Sequence, residues 1–221
     1  MRACKSLSVL ILVFLEIALV ASPEGFAWAV RNGSFDLLLP APHEVQVGTG
    51  EVVLGIPIRL SAPEPWKAAV GRSLWLLNEV LESRRAGPVA IAKKTSGAAI
   101  HVVRKPKGDM PENGYELTIA GGAIELAASD LGGVFNGLTT LAQLLELGSG
   151  GAVRVPNGRI RDWPELPTRA VHIDMTCQQY SAAYVQKLMR ILARYKVNAI
   201  LMEYSDMFPF REHKAICRPD A

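Results

Sequence analysis

The stretch that most constrains this chain is Tyr115 to Leu126, where apolar and polar residues alternate on both sides of a Gly-Gly pair. Tyr115, Leu117 and Ile119 alternate with Glu116 and Thr118, and Ile124 and Leu126 flank Glu125 beyond Gly121-Gly122. A period of two sends every apolar side chain to one face of a strand. Two glycines tolerate the positive φ that a tight hairpin turn requires. Such a hairpin is unstable alone in water. The rest of the chain must therefore extend it into a sheet and cover its apolar face.

Two segments have the pattern of a cover. Trp66, Ala69, Val70, Leu74, Leu77, Val80 and Leu81 recur at three- and four-residue spacing, predicting a helix from about residue 66 to 85. Val134, Phe135, Leu138, Leu141, Ala142 and Leu145 predict a second, capped by Ser129 or Asp130 and ended by the glycines from Gly148 to Gly151. Further strands are expected at Glu51 to Leu60, with Pro57 indicating an edge, and at Val89 to Ala92 and Ala98 to Val103. Gly132, Gly133 and Gly137 lack the G-x-G-x-x-G spacing of a dinucleotide site and read as close packing of helix on sheet. These elements make an α+β layer, a mostly antiparallel sheet with two helices on one face.

The pattern changes after the proline-punctuated Asp162-Trp163-Pro164-Glu165-Leu166-Pro167. Ala170 to Met175 is a short apolar strand, Ser181 to Tyr195 a helix with Tyr184, Leu188, Ile191 and Leu192 on one face, and Ala199 to Tyr204 a second strand. Strand, helix, strand at this spacing is a βαβ unit with parallel strands.

The amino terminus reads as an export leader. Arg2 and Lys5 precede the apolar run Leu7 to Leu15, which Glu16 interrupts, and Ala27-Trp28-Ala29 offers a small-residue cleavage site. The run is far shorter than the roughly 18 residues of a membrane span. Cleavage after Ala29 is expected, with a periplasmic or extracellular destination and no integral membrane span in the mature chain. Net charge is +3, and the pairs Arg84-Arg85 and Lys93-Lys94 read as solvated element ends, so no nucleic acid partner is expected. Cys4 lies in the leader, leaving Cys177 and Cys217; with His43, His101, His172 and His213 scattered, no metal site and no cofactor are expected.

At this point the chain resembles glycoside hydrolase family 20, the β-N-acetylhexosaminidases. The hairpin from Gly114 through Ile124, together with Gly137-Leu138-Thr139-Thr140-Leu141-Ala142-Gln143-Leu144-Leu145, is similar to that family's non-catalytic amino-terminal domain. Ile160 to Arg169 resembles the lead into its catalytic barrel. Val171-His172-Ile173-Asp174-Met175 and Asn198 to Phe210 look closest to the hexosaminidase D branch. After the leader at 1–29, the resemblance implies an accessory domain at 30–158, a linker at 159–168, and at 169–221 the first βαβ unit of an incomplete (β/α)8 barrel.

It also implies a chemistry: release of terminal N-acetylhexosamine from glycans with retention, the substrate's acetamido oxygen attacking the anomeric carbon while a Glu protonates the leaving oxygen and a neighbouring Asp orients the acetamide. That Asp-Glu pair belongs to the family's fourth barrel strand. The 221 residues contain no Asp-Glu dipeptide, so no catalytic residue is assigned to this chain and it is expected to be inactive alone. Asp174 and Asp206, near strand ends, are the candidate substrate-binding residues, whereas Arg169 and Glu203 are read as salt-bridge residues. Cys177 and Cys217 each follow one of two parallel strands at the same end and form a candidate disulfide in an exported protein. Two departures stand out: Cys177-Gln178 replaces an Arg-His pair, and Ser205 replaces an acidic residue of the hexosaminidase D branch. The alternative is a non-catalytic carbohydrate- or protein-binding module.

Overall fold

The computed structural model describes residues 33–83, 85–93, 97–148, 152–176, 180–204, 206, 208, 210–213 and 215. The leader, Cys177, Gln178, Ser205 and Cys217 lie outside these. The chain divides into two compact units that part between Pro167 and Thr168, and each is taken by itself.

The first unit is an eight-stranded sheet covered on one face by helices. Its strands are β1 (Glu44–Leu54), β2 (Arg59–Ser61), β3 (Ala90–Ile91), β4 (Ile100–Arg104), β5 (Tyr115–Ala120), β6 (Ala123–Ala128), β7 (Glu146–Leu147) and β8 (Val153–Asp162). Their spatial order is β1-β8-β5-β6-β4-β2-β3, with β7 pairing β8 off this path. The expected hairpin is β5–β6, paired in register from Tyr115↔Ala128 to Ala120↔Ala123. Gly121 and Gly122 both have positive φ, 60° and 80°, as a two-residue turn joining right-twisted strands demands. The long pairings β1–β8, β8–β5 and β5–β6 are antiparallel. Those of β4 with β6 and of β2 with β3 and β4 are parallel.

Three sequence expectations change in detail. The strand expected at Glu51 to Leu60 is two, because the Gly55 to Ile58 stretch breaks the ladder and carries the chain from β1 on one sheet edge to β2 near the other. Pro57 thus sits in a connection and not on an edge strand. The helix expected at 66–85 is α1 (Glu64–Ser73) followed by α2 (Trp75–Ser83). At the break the Ser73 hydroxyl donates to the Ala69 carbonyl at 3.2 Å, the back-bonding that bends helices. Residues 159–162, read as the start of the linker, are the last four of β8, the first three paired to both β1 and β5 and Asp162 to β5.

Helix α3 (Leu131–Leu144) is seated deepest. Asp130 caps it, accepting from the Gly133 amide at 2.7 Å. A Cβ on Gly133 would lie 2.1 Å from the Gly114 carbonyl oxygen, and one on Gly137 2.2 Å from Leu126 Cδ1. These glycines are the points where helix and sheet touch. Leu117, Ile119, Ile124 and Leu126 from the hairpin, Leu138, Leu141 and Leu144 from α3, and Leu77 and Leu81 from α2 are all buried in one core. Tyr115 joins it with its hydroxyl bonded to Thr140 at 2.5 Å, so a polar atom taken into the core has a partner.

The second unit contains β9 (Ala170–Asp174), α4 (Ala182–Ala193) and β10 (Ala199–Glu203). The two strands are parallel and in register from Ala170↔Ala199 to Asp174↔Glu203. Ser181 caps α4, its hydroxyl accepting from the Tyr184 amide. None of the described helices is long and apolar enough to cross a membrane.

Candidate functional site

Parallel strands joined by a helix bury one face under that helix and leave the opposite face open within the unit. Burial along β9 and β10 alternates accordingly. Ile173 and Met175 are buried and Met202 is half-buried, while His172, Asp174, Leu201 and Glu203 are exposed. The open face therefore carries three titratable groups within the last three positions of two adjacent strands.

His172 and Asp174 lie two residues apart on one strand, so both point to the open face. Asp174 is in register with Glu203 across the ladder, and the His172 Nε2 lies 2.9 Å from Glu203 Oε2. Glu203 thus makes the salt bridge expected for it, with an unforeseen partner. The Asp174 carboxylate accepts from the Thr176 amide at 2.7 Å. Bonding to the Thr176 side chain and backbone, then the nearby His172, holds its pKa below the ordinary carboxylate value. The arrangement can do two things chemically. It presents a fixed anion that accepts from ligand hydroxyls, beside an imidazole oriented by a second carboxylate.

The other expected residues fall apart from this cluster. Arg169 lies at the opposite end of the strands, where its Nε donates to the Lys196 carbonyl at 2.7 Å and its amide to the Asn198 side chain at 2.8 Å. It ties the entry of β9 to the entry of β10. Asp206 follows the end of β10 and is half-buried; in the same stretch of chain, Tyr204 stacks edge-on against Phe208 at 5.5 Å, and Phe208 packs on Phe210 at 4.7 Å. On α4 the shielded residues are Val185, Leu188 and Leu192, whereas Tyr184 and Ile191 are exposed. Tyr184 stacks on Tyr180 at 5.0 Å. Among the described residues no group of three His, Cys, Asp or Glu side chains is placed to hold a metal ion.

His172 was not singled out from the sequence. Its signal was available, since the alternation that puts Asp174 on the open face puts His172 there too. Only the strand register supplies Glu203 as its partner.

The fold and parts of the sequence are shared with known proteins. Over 156 residues the chain is 28% identical to the beta-N-acetylhexosaminidase of Cellulomonas fimi, covering 69% of this chain and 30% of that one. The structure superposes on the GH20 exo beta-N-acetylglucosaminidase of Vibrio harveyi, solved in complex with N-acetylglucosamine, with a TM-score of 0.67 at 21% identity, covering 78% of this chain and 26% of that one. It also superposes on the N-acetyl-beta-hexosaminidase of Streptomyces plicatus with a TM-score of 0.64 at 24% identity, over 80% and 36% of the two chains. The chain therefore spans about a third or less of the length of these relatives. Residues 37–163, more than half of the chain and nearly all of the first unit, match glycosyl hydrolase family 20, domain 2, and the chain belongs to glycoside hydrolase family 20.

Proposed function

We propose that the chain is the amino-terminal part of an exported β-N-acetylhexosaminidase that removes terminal N-acetylhexosamine by substrate-assisted retention. The accessory domain extends from residue 30 through the end of β8 at Asp162, and the second unit opens the catalytic barrel at residue 169. The observation that carries the reading is the open face of β9 and β10, with Asp174, His172 and Glu203 gathered at the carboxyl ends of parallel strands, where barrel enzymes build their sites. In that barrel Asp174, held as an anion, accepts from a sugar hydroxyl, and Asp206, just past the end of β10, is the second candidate contact. The Asp-Glu pair that orients the acetamide and protonates the leaving oxygen is not among these 221 residues, so the chain alone turns nothing over. Export rests on the leader pattern of residues 1–29.

The test has two arms. The coding sequence beyond the Ala221 codon is expected to contain an Asp-Glu pair at the end of a later strand, and the complete protein to release a chromophore from an N-acetylglucosaminide. The 221-residue chain is expected to release none. Turnover by the 221-residue chain would overturn the assignment of the catalytic pair, and an inactive complete protein would overturn the enzymatic reading.

A further inference from the structure

The face of the first unit's sheet opposite the helices holds a groove of about 260 Å³. Its floor comes from three neighbouring strands: Glu44 and Gln46 on β1, Arg159 and Arg161 on β8, and Glu116 on β5. The connection from β4 to β5 walls it with Lys105, Asp109 and Met110. Ala127, which lies on the same outer face as Glu116, is nonetheless buried, so this face is not a bare solvated surface there.

The charges in the groove cancel, three cations against three carboxylates. Arg159 pairs with Glu116 at 2.9 Å and Arg161 with Glu44 at 3.5 Å. These pairs alternate donor forks with acceptor carboxylates across the floor. The side chains of Gln46, Lys105 and Asp109 face the same space and make no hydrogen bond or ion pair with the described residues. A charge-balanced site has no net charge to draw either an anion or a cation from a distance. It suits a neutral ligand whose rim groups both donate and accept, the property of a ring of hydroxyls. The volume lies just under the roughly 300 Å³ at which drug-sized pockets begin, the scale of a single ring.

We propose that this groove is a non-catalytic binding site for an uncharged saccharide ring, held between the Arg159–Glu116 pair and the unpartnered side chains of Gln46 and Asp109. Without an aromatic platform the affinity is low, with a dissociation constant on the order of 1 mM. The site lies wholly within the first unit and involves no turnover, so its failure leaves the reading of the strand-end cluster untouched.

The experiment is saturation-transfer NMR on the 221-residue chain with N-acetylglucosamine, glucose and galactose as probes, and inorganic phosphate as competitor. Gln46→Ala with Asp109→Ala removes two side chains that hold nothing in the fold, so the melting temperature should stay unchanged. Sugar binding should weaken about fivefold or more, the factor two lost neutral hydrogen bonds carry. Glu125→Ala, on the same face outside the groove, should bind as the parent does. Four results would overturn the proposal: no saturable signal from any sugar, equal binding by the double variant, equal loss in Glu125→Ala, or displacement by phosphate, which would mark an anion site.

Discussion

His43 offers the sharpest physical test of the fold. It precedes β1 and reaches the end of β8, where its Nδ1 lies 2.9 Å from Asp162 Oδ1 and its Nε2 2.8 Å from Glu165 Oε1. Two carboxylates facing two ring nitrogens are both satisfied only by the imidazolium, which donates from each. The ring also stacks on Trp163 at 4.1 Å, with planes 9° apart, and the Arg161 guanidinium sits 5.7 Å from the centre of that indole. The bonds to Glu165 and then Asp162 raise the His43 pKa above 6.5. A raised pKa means that this stabilisation is complete below pH 6.5 and is lost as pH climbs through the folded-state value. His43→Phe keeps a ring on Trp163 and removes both donors. The Asp162 side chain is 9% exposed, so the charged bond to it is worth about 1.5–3 kcal/mol. Glu165 is 79% exposed, which limits its pairing to about 0–1 kcal/mol. At pH 5.5 the variant should be less stable by about 2–3 kcal/mol. At pH 9 only a neutral hydrogen bond is left to lose, worth about 0.5–1.5 kcal/mol. Urea unfolding followed by tryptophan emission reads this directly, since Trp66, Trp75 and Trp163 all lie in the first unit. An NMR titration of His43 supplies the cross-check: the gap should narrow by about 1.4 kcal/mol for each unit by which the measured pKa exceeds 6.5. A gap independent of pH, or a His43 pKa at or below 6.5, would refute the double clamp.

Three further outcomes follow from the packing and from the strand-end site. Gly133→Ala should lower the melting temperature of the first unit although alanine favours helices, because the new methyl meets a backbone oxygen that cannot rotate aside; overpacking of this kind costs about 1–3 kcal/mol. Tyr115→Phe should cost about 1–3 kcal/mol in urea unfolding, since it leaves the buried Thr140 hydroxyl without its bond. The Asp174 carboxyl should titrate below the usual aspartate range by carbon NMR, and Thr176→Val should raise its pKa more than His172→Ala does, because bonding to Thr176 outweighs the charge of His172; the reverse order would assign the anion's stability to the imidazole.

Legibility in the sequence followed the range of the interactions. Tyr115 to Leu126 folds as its alternation requires because a hairpin is set by its own turn and by period, and Asp130 caps α3 because a cap acts over three residues. The break between α1 and α2 was hidden because the apolar face runs on through Leu74, while the break itself lies in the backbone, where the Leu74 amide turns to the Gly71 carbonyl beside the Ser73 hydroxyl bond. The path from β1 to β2 was missed for another reason. Both segments are apolar, and composition does not say that one pairs with β8 and the other with β4, on opposite sides of the hairpin. The same limit applied at the candidate site. Asp174 was legible as a carboxylate at a strand end, while its neighbours His172 and Glu203 come together only through the cross-strand register. The groove around Glu116 and the clamp on His43 join residues more than 40 positions apart, and no local pattern announces such a meeting.

The two units differ in a way that bears on what each can do. The first encloses its core: the hairpin, α2 and α3 bury their apolar faces against one another, and its open sheet face is paved with paired charges. The second does not. Leu201 is 61% exposed beside His172 and Glu203 on the open face, and no residue of α4 is fully buried. An apolar side chain between titratable groups on an uncovered parallel ladder is costly in water, whereas beneath further strands it becomes a site wall whose low dielectric strengthens the ion pair beside it. Covering this face would strengthen the attraction between a protonated His172 and Glu203 but would also strip both of water, a cost that can exceed the gain, so the drive to cover the face comes from the apolar area of Leu201 and not from the pair.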